Sequence, residues 1–237
     1  MIIASCGPIK EPVDASDRPI RITRIRGPVY LVEDLNYWKT NSVFYVNDSG
    51  GVFTGAGWTE KSAKQILWKA ATLTMAEFTA VVPADHRLPY SGGLQEFKKQ
   101  SVPIYLSKKS RTLMLEQWKD LNLDMSSFGS WKEIPAAEPD HIFDGSMEFL
   151  GGSVIVREID AGQRSSAIAA YFPAERILFL GSALSDPPYF YTYDRKALRS
   201  SITELMKLPF EIAISGHGKA IRNRAFVEDQ LRQLNAD

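Results

Sequence analysis

Short apolar segments recur along the first half of the chain, some alternating with polar residues and some continuous, and they predict β-strands. Their bounds are residues 21–26, 29–33, 42–47, 51–55, 78–82 and 103–106. The turn Asn47-Asp48-Ser49-Gly50-Gly51 lies between the third and fourth segments and is typical of a hairpin. The beginning of the chain is therefore predicted to form a β-meander.

Helical periodicity begins after Thr59, a residue type that favours the N-cap position. The predicted apolar face consists of Ala63, Ile66, Leu67 and Ala70, with Trp68 beside it. Further helices are predicted after Gly93 and at about 109–121, 195–208 and 225–234. Ser107 and Ser110 are both candidates for the N-cap of the helix at 109–121.

The second half of the chain repeats this order of strands followed by helices. Its predicted strands are residues 147–150, 153–159, 167–172, 176–180 and 211–214. Two β-rich halves that are each followed by helices indicate an α/β (α+β) fold, a four-layer αββα sandwich with two sheets packed face to face. We expect one domain over residues 20–237, preceded by a flexible N-terminal segment at residues 1–19.

Composition and charge narrow the classes of partner. A chain of 237 residues with 44% hydrophobic residues is long enough to bury a substantial core. Lys+Arg and Asp+Glu balance at 28 each, so neither nucleic acid nor an anionic membrane surface is favoured. No apolar run has the ~20 residues of a transmembrane helix. A small molecule or a protein is the expected partner.

The single cysteine, Cys6, excludes an internal disulfide and a cysteine-rich zinc site. The sequence Ile3-Ala4-Ser5-Cys6 resembles the cleavage site of a bacterial lipoprotein, although the apolar region that precedes such a site is missing. Two interpretations stay open. Either Cys6 is a lipidation site and the protein belongs to the cell envelope or periplasm, or residues 1–19 are an ordinary N-terminus of a cytoplasmic protein.

A strand, a polar loop and a Gly-Gly step occur together in residues 78–97, FTAVVPADHRLPYSGGLQEF. Other short motifs accompany them along the chain. These are Gly27-Pro28-Val29-Tyr30-Leu31-Val32, Thr40-Asn41-Ser42-Val43-Phe44-Tyr45-Val46, Gly57-Trp58, Phe143-Asp144-Gly145, Tyr171-Phe172-Pro173, Leu178-Phe179-Leu180-Gly181 and Ser215-Gly216-His217-Gly218. In order and spacing they resemble the metallo-β-lactamase superfamily over about residues 20 to 235.

The resemblance implies a dinuclear zinc site, but most of its ligand positions have changed. The positions that match metal ligands are Asp85, Arg87, Pro89, Tyr90, Gln163, Ser182 and His217, and only the last retains a histidine. A guanidinium stays protonated and has no lone pair to offer a metal, and a proline side chain has no donor. Amides and hydroxyls are poor zinc ligands. Gly55 replaces the acidic residue of the superfamily's Asp-x-Gly turn. We therefore predict that the zinc site is lost; the alternative is one divalent metal at Asp85 and His217.

Two interpretations of the altered site stay open. It is either a ligand pocket for a small polar or anionic molecule, held by Arg87, or a structural plug in which Arg87 pairs with Asp85. The candidate residues of the pocket rim are Tyr37, Trp38, His86, Tyr189 and Tyr191; packing over the sheet edges is the alternative role for the aromatic ones.

Each of the three histidines also has an ordinary structural or solvent-facing interpretation. If the loop is extended, alternation turns His86 away from Asp85 and Arg87, which indicates a structural or solvent-facing residue. His141 is expected in an exposed loop. His217 is expected either to serve a functional site or to hydrogen-bond Asp85 or Tyr90.

The predicted function is a non-catalytic protein, a pseudoenzyme that binds a small ligand or serves as a scaffold. The alternative is a hydrolase that uses one metal or a metal-free Ser182, His217 and Asp85 triad. The catalytic residues are unknown. Neither a Gly-x-Ser-x-Gly elbow nor a nucleotide-binding glycine motif occurs in the sequence.

Overall fold

The computed structural model describes residues 20–36, 38–126, 131–184 and 193–235. Its strands are β1 (Ile20–Arg26), β2 (Val29–Asp34), β3 (Thr40–Asn47), β4 (Gly50–Phe53), β5 (Phe78–Val81), β6 (Tyr105–Ser107), β7 (His141–Phe143), β8 (Ser146–Phe149), β9 (Val154–Asp160), β10 (Ser166–Phe172), β11 (Ile177–Phe179), β12 (Ile212–Ile214) and β13 (Ile221–Asn223). Its helices are α1 (Glu60–Ala71), α2 (Leu88–Ser91), α3 (Leu94–Lys99), α4 (Lys108–Ser126), α5 (Arg195–Leu205) and α6 (Arg224–Asn235).

The strands form two large mixed sheets and one small parallel pair. The first sheet has the order β1-β2-β3-β4-β5, and the second has the order β13-β12-β11-β10-β9-β8. Most neighbours are antiparallel, but β4 pairs with β5 and β11 pairs with β12 in parallel. The parallel pairs matter for the site, because the loops that follow both strands of a parallel pair leave the sheet at the same edge.

Three apolar clusters separate four layers. The inner faces of the two sheets share one cluster, in which Val43 and Val52 of the first sheet join Ile168 and Phe179 of the second. The outer face of the first sheet packs against α1, α3 and α4. The outer face of the second sheet packs against α5 and α6. The predicted αββα sandwich is confirmed.

Capping residues identified in the sequence define the starts of two helices. The Thr59 side chain accepts a hydrogen bond from the Ser62 amide at 3.2 Å and caps α1. The choice between Ser107 and Ser110 falls on Ser107, whose Oγ accepts from the Ser110 amide at 3.1 Å. Each cap satisfies an N–H group that the helix itself leaves without a partner.

Three short elements were not predicted, namely α2, β7 and β13. Each has only three or four residues, which is too short for a hydrophobic period to identify it. Helix α4 also runs to Ser126, beyond the predicted end at residue 121. No described helix is both long and apolar enough to cross a bilayer. The segment predicted at residues 1–19, with Cys6, lies outside the described residues.

Candidate functional site

The candidate site lies at the edge where the parallel strands of both sheets end. The loop after β5 carries Asp85 and Arg87, a 3₁₀ turn after β11 carries Ser182, and the turn after β12 carries His217. Backbone hydrogen bonds join the two sheets at this edge, from Ile168 N to the Ala84 carbonyl at 2.9 Å and from Asn41 N to the Gly216 carbonyl at 2.7 Å. The fold therefore brings together segments that lie from 84 (Ala84 to Ile168) to 175 residues apart (Asn41 to Gly216).

A bidentate ion pair between Asp85 and Arg87 forms the centre of the site. Asp85 is completely buried, and Arg87 Nε donates to both of its carboxylate oxygens at 3.0 Å. Arg87 Nη2 also donates to Asp85 Oδ2. The same carboxylate accepts the Arg87 backbone amide at 2.9 Å, so the chain turns tightly at this point. The predicted pairing of Arg87 with Asp85 is thus present.

Ser182 and Tyr193 extend this pair. The Ser182 hydroxyl donates to Asp85 Oδ2. Arg87 Nη2 donates to Tyr193 Oη at 2.9 Å, and Tyr193 Oη donates to the Ser182 carbonyl at 2.7 Å. A closed ring of hydrogen bonds therefore ties the loop after β5 to the segments on either side of residues 185–192.

The charges in this ring determine the ionisation of Asp85. Burial raises the pKa of Asp85, but the positive charge of Arg87 and interactions with His86 outweigh burial and hold that pKa well below its usual range. Burial likewise opposes the charge on Arg87, and Asp85 and Tyr193 together raise the pKa of Arg87. Both members of the pair are ionised at neutral pH.

The expectation that His86 points away from Asp85 is wrong. His86 is buried, and its Nδ1 lies 3.0 Å from Asp85 Oδ1 and 2.9 Å from Ser166 Oγ. Its Nε2 lies 3.3 Å from Gln117 Oε1. The alternation rule fails because the tight turn at Arg87 means that residues 85–87 are not extended. His86 is therefore part of the buried group of polar side chains around Asp85.

A row of buried hydroxyls continues from His86 to the start of α4. Ser110 Oγ donates to Ser166 Oγ at 3.1 Å, and Ser107 Oγ donates to Ser110 Oγ at 3.0 Å. The Glu158 side chain is an alternative acceptor for the single Ser107 hydroxyl proton. These serines are almost fully buried, so the row gives polar groups in the interior the partners that burial requires.

His217 lies beside the ring of hydrogen bonds without joining it. Its ring meets the Tyr90 ring edge-on at a centroid distance of 5.6 Å and hydrogen-bonds the Lys39 backbone. The expected hydrogen bond to Asp85 or Tyr90 is not found at His217 Nδ1, which is buried without a partner. The oxygens of Asp85 are occupied by other donors, and the Tyr90 hydroxyl donates to the Gly216 carbonyl at 2.9 Å. Burial, followed by the charge of Arg87, lowers the pKa of His217 to about 4.

The other predicted residues lie away from the Asp85 and Arg87 ion pair or outside the described residues. Gln163 is exposed, and Pro89 lies within α2. Trp38 packs on Trp58 at a centroid distance of 5.2 Å, which is the packing alternative for this residue. His141 is exposed as expected, but it lies in β7 and stacks on Tyr105 at 4.4 Å. Tyr37, Tyr189 and Tyr191 lie outside the described residues.

Solved structures with the same architecture identify the fold. A metallo-beta-lactamase from Pontibacter korlensis is 16% identical, covering 92% of this chain and 100% of its own, with a TM-score of 0.71. One from Hirschia baltica is 14% identical, covering 92% and 98%, with a TM-score of 0.73. The fold is that of a metallo-β-lactamase. The mono-zinc form of FIM-1 from Pseudomonas aeruginosa is 16% identical, covering 93% and 96%, with a TM-score of 0.72. No protein-family model matches the chain, and at these identities the likeness shows the fold alone.

The side chains at this edge of the metallo-β-lactamase fold do not suit a zinc ion. Of the possible ligands, Asp85 is saturated by Arg87, Ser182 and His86. Within the described part of the chain, no three His, Cys, Asp or Glu side chains come together as a metal-binding group. The positive charge of the Arg87 guanidinium would also repel a zinc ion bound to Asp85. The chemistry of the donor set is therefore that of an ion pair.

The hydrogen bonds required for a metal-free triad are also not made. A nucleophilic serine must donate to a histidine that is held by a carboxylate. Ser182 donates to Asp85 instead, and His217 Nδ1 accepts no hydrogen bond.

Several residues of the cluster were not identified from the sequence as site residues. Tyr193 lies two residues after Tyr191, a candidate for the pocket rim, but Tyr193 itself is not among the predicted site residues. Ser166 and Gln117 carry no local signal, because a single serine in a strand or a glutamine on a helix is common. Only the pairing of β10 and the packing of α4 bring them to His86.

Proposed function

We propose that this protein is a non-catalytic member of the metallo-β-lactamase fold, in which an internal ion pair takes the place of a metal centre. The supporting observation is the bidentate contact of Arg87 with the buried Asp85. A metal centre holds the surrounding loops by binding several ligands at once. Here the guanidinium contacts the loop after β5 and Tyr193 together, and Ser182 joins from the turn after β11.

A scaffold role is better supported than a ligand pocket at the same place. A pocket needs polar groups that are free to meet a ligand, whereas the Asp85 oxygens and the Tyr90 hydroxyl already have partners. The Arg87 side chain is 30% exposed, and two of its nitrogens are engaged inside the protein. We therefore propose that the ion-pair cluster is a structural plug, which stabilises the loops of a scaffold protein.

Metal analysis of the purified protein tests this proposal directly. We expect zinc and iron well below one equivalent per chain after purification without metal affinity resin, and no rise in the unfolding temperature when zinc is added. Stoichiometric metal that is lost in His217→Ala would overturn the proposal. A zinc-containing metallo-β-lactamase carried through the same purification serves as the positive control.

An activity screen separates the hydrolase alternative into its two versions. Esters, lactams, lactones and phosphodiesters are assayed with and without a chelator, and no turnover above the buffer rate is expected. Turnover that a chelator abolishes supports a one-metal enzyme. Turnover that survives the chelator and disappears in Ser182→Ala supports the triad.

A further inference from the structure

A pocket of about 570 Å³ lies on the outer face of the first sheet, between α1, the start of β5 and the end of α3. Helix α1 contributes residues 64, 67, 68 and 71 to its wall, and the spacing of three and four places them along one side of the helix. None of the lining residues belongs to the Asp85 and Arg87 cluster. The volume falls within the ~300–1,000 Å³ of small-molecule sites.

The apolar part of the wall is formed by core side chains and ends in an exposed aromatic ring. Phe78 is fixed by Phe53, with ring centroids 4.5 Å apart, and Val102 is buried beside it. Trp68 lines the same pocket and is 66% exposed. A large aromatic side chain left in water beside a concave wall is a common element of binding sites.

The polar part of the wall contains Glu96, a carboxylate with one hydrogen bond and one long ion pair. Glu96 is only 7% exposed. Its Oε1 accepts from Gln100 Nε2 at 3.1 Å, but its Oε2 lies 3.9 Å from Lys99 Nζ, which is beyond hydrogen-bond distance. Lys99 donates to Glu60 instead. Among the described residues no hydrogen bond is donated to Glu96 Oε2, and Glu96 is one of the residues that line the pocket.

The charges around the pocket favour a positively charged ligand. Its lining carries two carboxylates, Glu77 and Glu96, and one ammonium group, Lys64. Among the described residues, no hydrogen bond or salt bridge involves the Glu77 carboxylate. The net negative lining therefore attracts cations and disfavours anions.

We propose that this pocket binds an organic cation of small-molecule size, with its ammonium group at Glu96 and its apolar body against Trp68. The ammonium group donates to Glu96 Oε2, and the indole face packs against the apolar body of the ligand. A neutral apolar ligand leaves Glu96 unsatisfied. The pocket is separate from the ion-pair cluster, so this proposal does not depend on the proposed function.

Matched probes that differ only in charge test the proposal. The protein is titrated with benzylammonium, benzyl alcohol and benzoate, and the Trp68 indole N–H and the Gln100 side-chain amide are followed by NMR. We expect saturable shifts at both groups with benzylammonium, about tenfold weaker binding of benzyl alcohol, and none of benzoate. Nα-acetyl-lysine amide is the fourth probe, because a lysine of another protein carries the same ammonium chemistry.

Variants assign the binding to the named residues. Glu96→Gln is expected to weaken benzylammonium about tenfold, Glu77→Gln to weaken it less, and Lys64→Gln to strengthen it. The control Glu116→Gln changes an exposed carboxylate on α4 and leaves the affinity unchanged. If Glu96→Gln fails to fold, Glu77→Gln and Lys64→Gln still give opposite expected signs. Equal affinity for benzylammonium and benzyl alcohol, or no saturable shift, overturns the proposal.

Discussion

Replacing Arg87 by methionine removes the positive charge from the centre of the site and keeps most of its apolar volume. Asp85 is completely buried, and three of its hydrogen bonds come from the Arg87 side chain. Removing one member of a buried ion pair costs about 3–5 kcal/mol. Ser182, His86 and the Arg87 backbone amide remain as donors, and the arginine side chain is 30% exposed. We therefore expect the lower end, about 3 kcal/mol.

Urea unfolding at pH 7, followed by circular dichroism and tryptophan fluorescence, measures this loss. Arg21→Met is the matched control, because Arg21 is 62% exposed and lies 3.4 Å from Glu33; we expect it to cost less than about 0.5 kcal/mol. The double variant Asp85→Asn/Arg87→Met removes both charges and should lose clearly less stability than the sum of the single variants. A loss below about 1 kcal/mol for Arg87→Met, or strict additivity, would refute the ion-pair argument.

Three further predictions concern residues around the site and the helix layer. The pKa of His217 is 6.5 in the unfolded chain and about 4 in the folded protein. The free energy of unfolding should therefore fall by up to about 3 kcal/mol as the pH drops from 6.5 to 4, and the pH profile of His217→Asn should lack this fall. A Cβ on Gly216 would lie 2.1 Å from Tyr90 Oη, so Gly216→Ala should lower the free energy of unfolding by about 2–3 kcal/mol, measured by thermal or urea unfolding. The control is Gly145→Ala, where a Cβ has no atom within 4 Å; it should cost about 1 kcal/mol. Asn122 bonds Trp118, Trp131 and Ile134, so Asn122→Ala should cost about 2–3 kcal/mol, and unchanged unfolding would contradict this role.

The layers of the fold could be predicted because strands and helices of ordinary length carry their period in the sequence. The strand at 167–172 is a continuous apolar run, and β10 is indeed buried along its whole length. The apolar face of α1 was also predictable in part: Ala63, Ile66 and Ala70 are buried. Trp68 is predicted beside that face; the structure shows that it is 66% exposed and lines a pocket, which no local pattern encodes.

The sequence supports the prediction that the zinc-ligand positions are replaced, but it does not give the arrangement of the side chains at those positions. Arg87 and Asp85 are two residues apart, so their pairing could be considered from the sequence as one of two interpretations. The direction of His86 was predicted incorrectly, because the rule of alternation assumes an extended chain and the Asp85 carboxylate bends it.

The order of the elements, the two sheets with their outer helices and the types of side chain at the candidate ligand positions could be read from the sequence alone. Those properties depend on local periodicity and on the chemistry of single side chains. The ring that Ser182, Tyr193 and Arg87 close around Asp85, and the pocket that Glu96 and Trp68 line together, are visible only in the folded protein. The physical reason is that these contacts join distant segments, and their hydrogen bonds exist only once both sheets and the helix layers have packed.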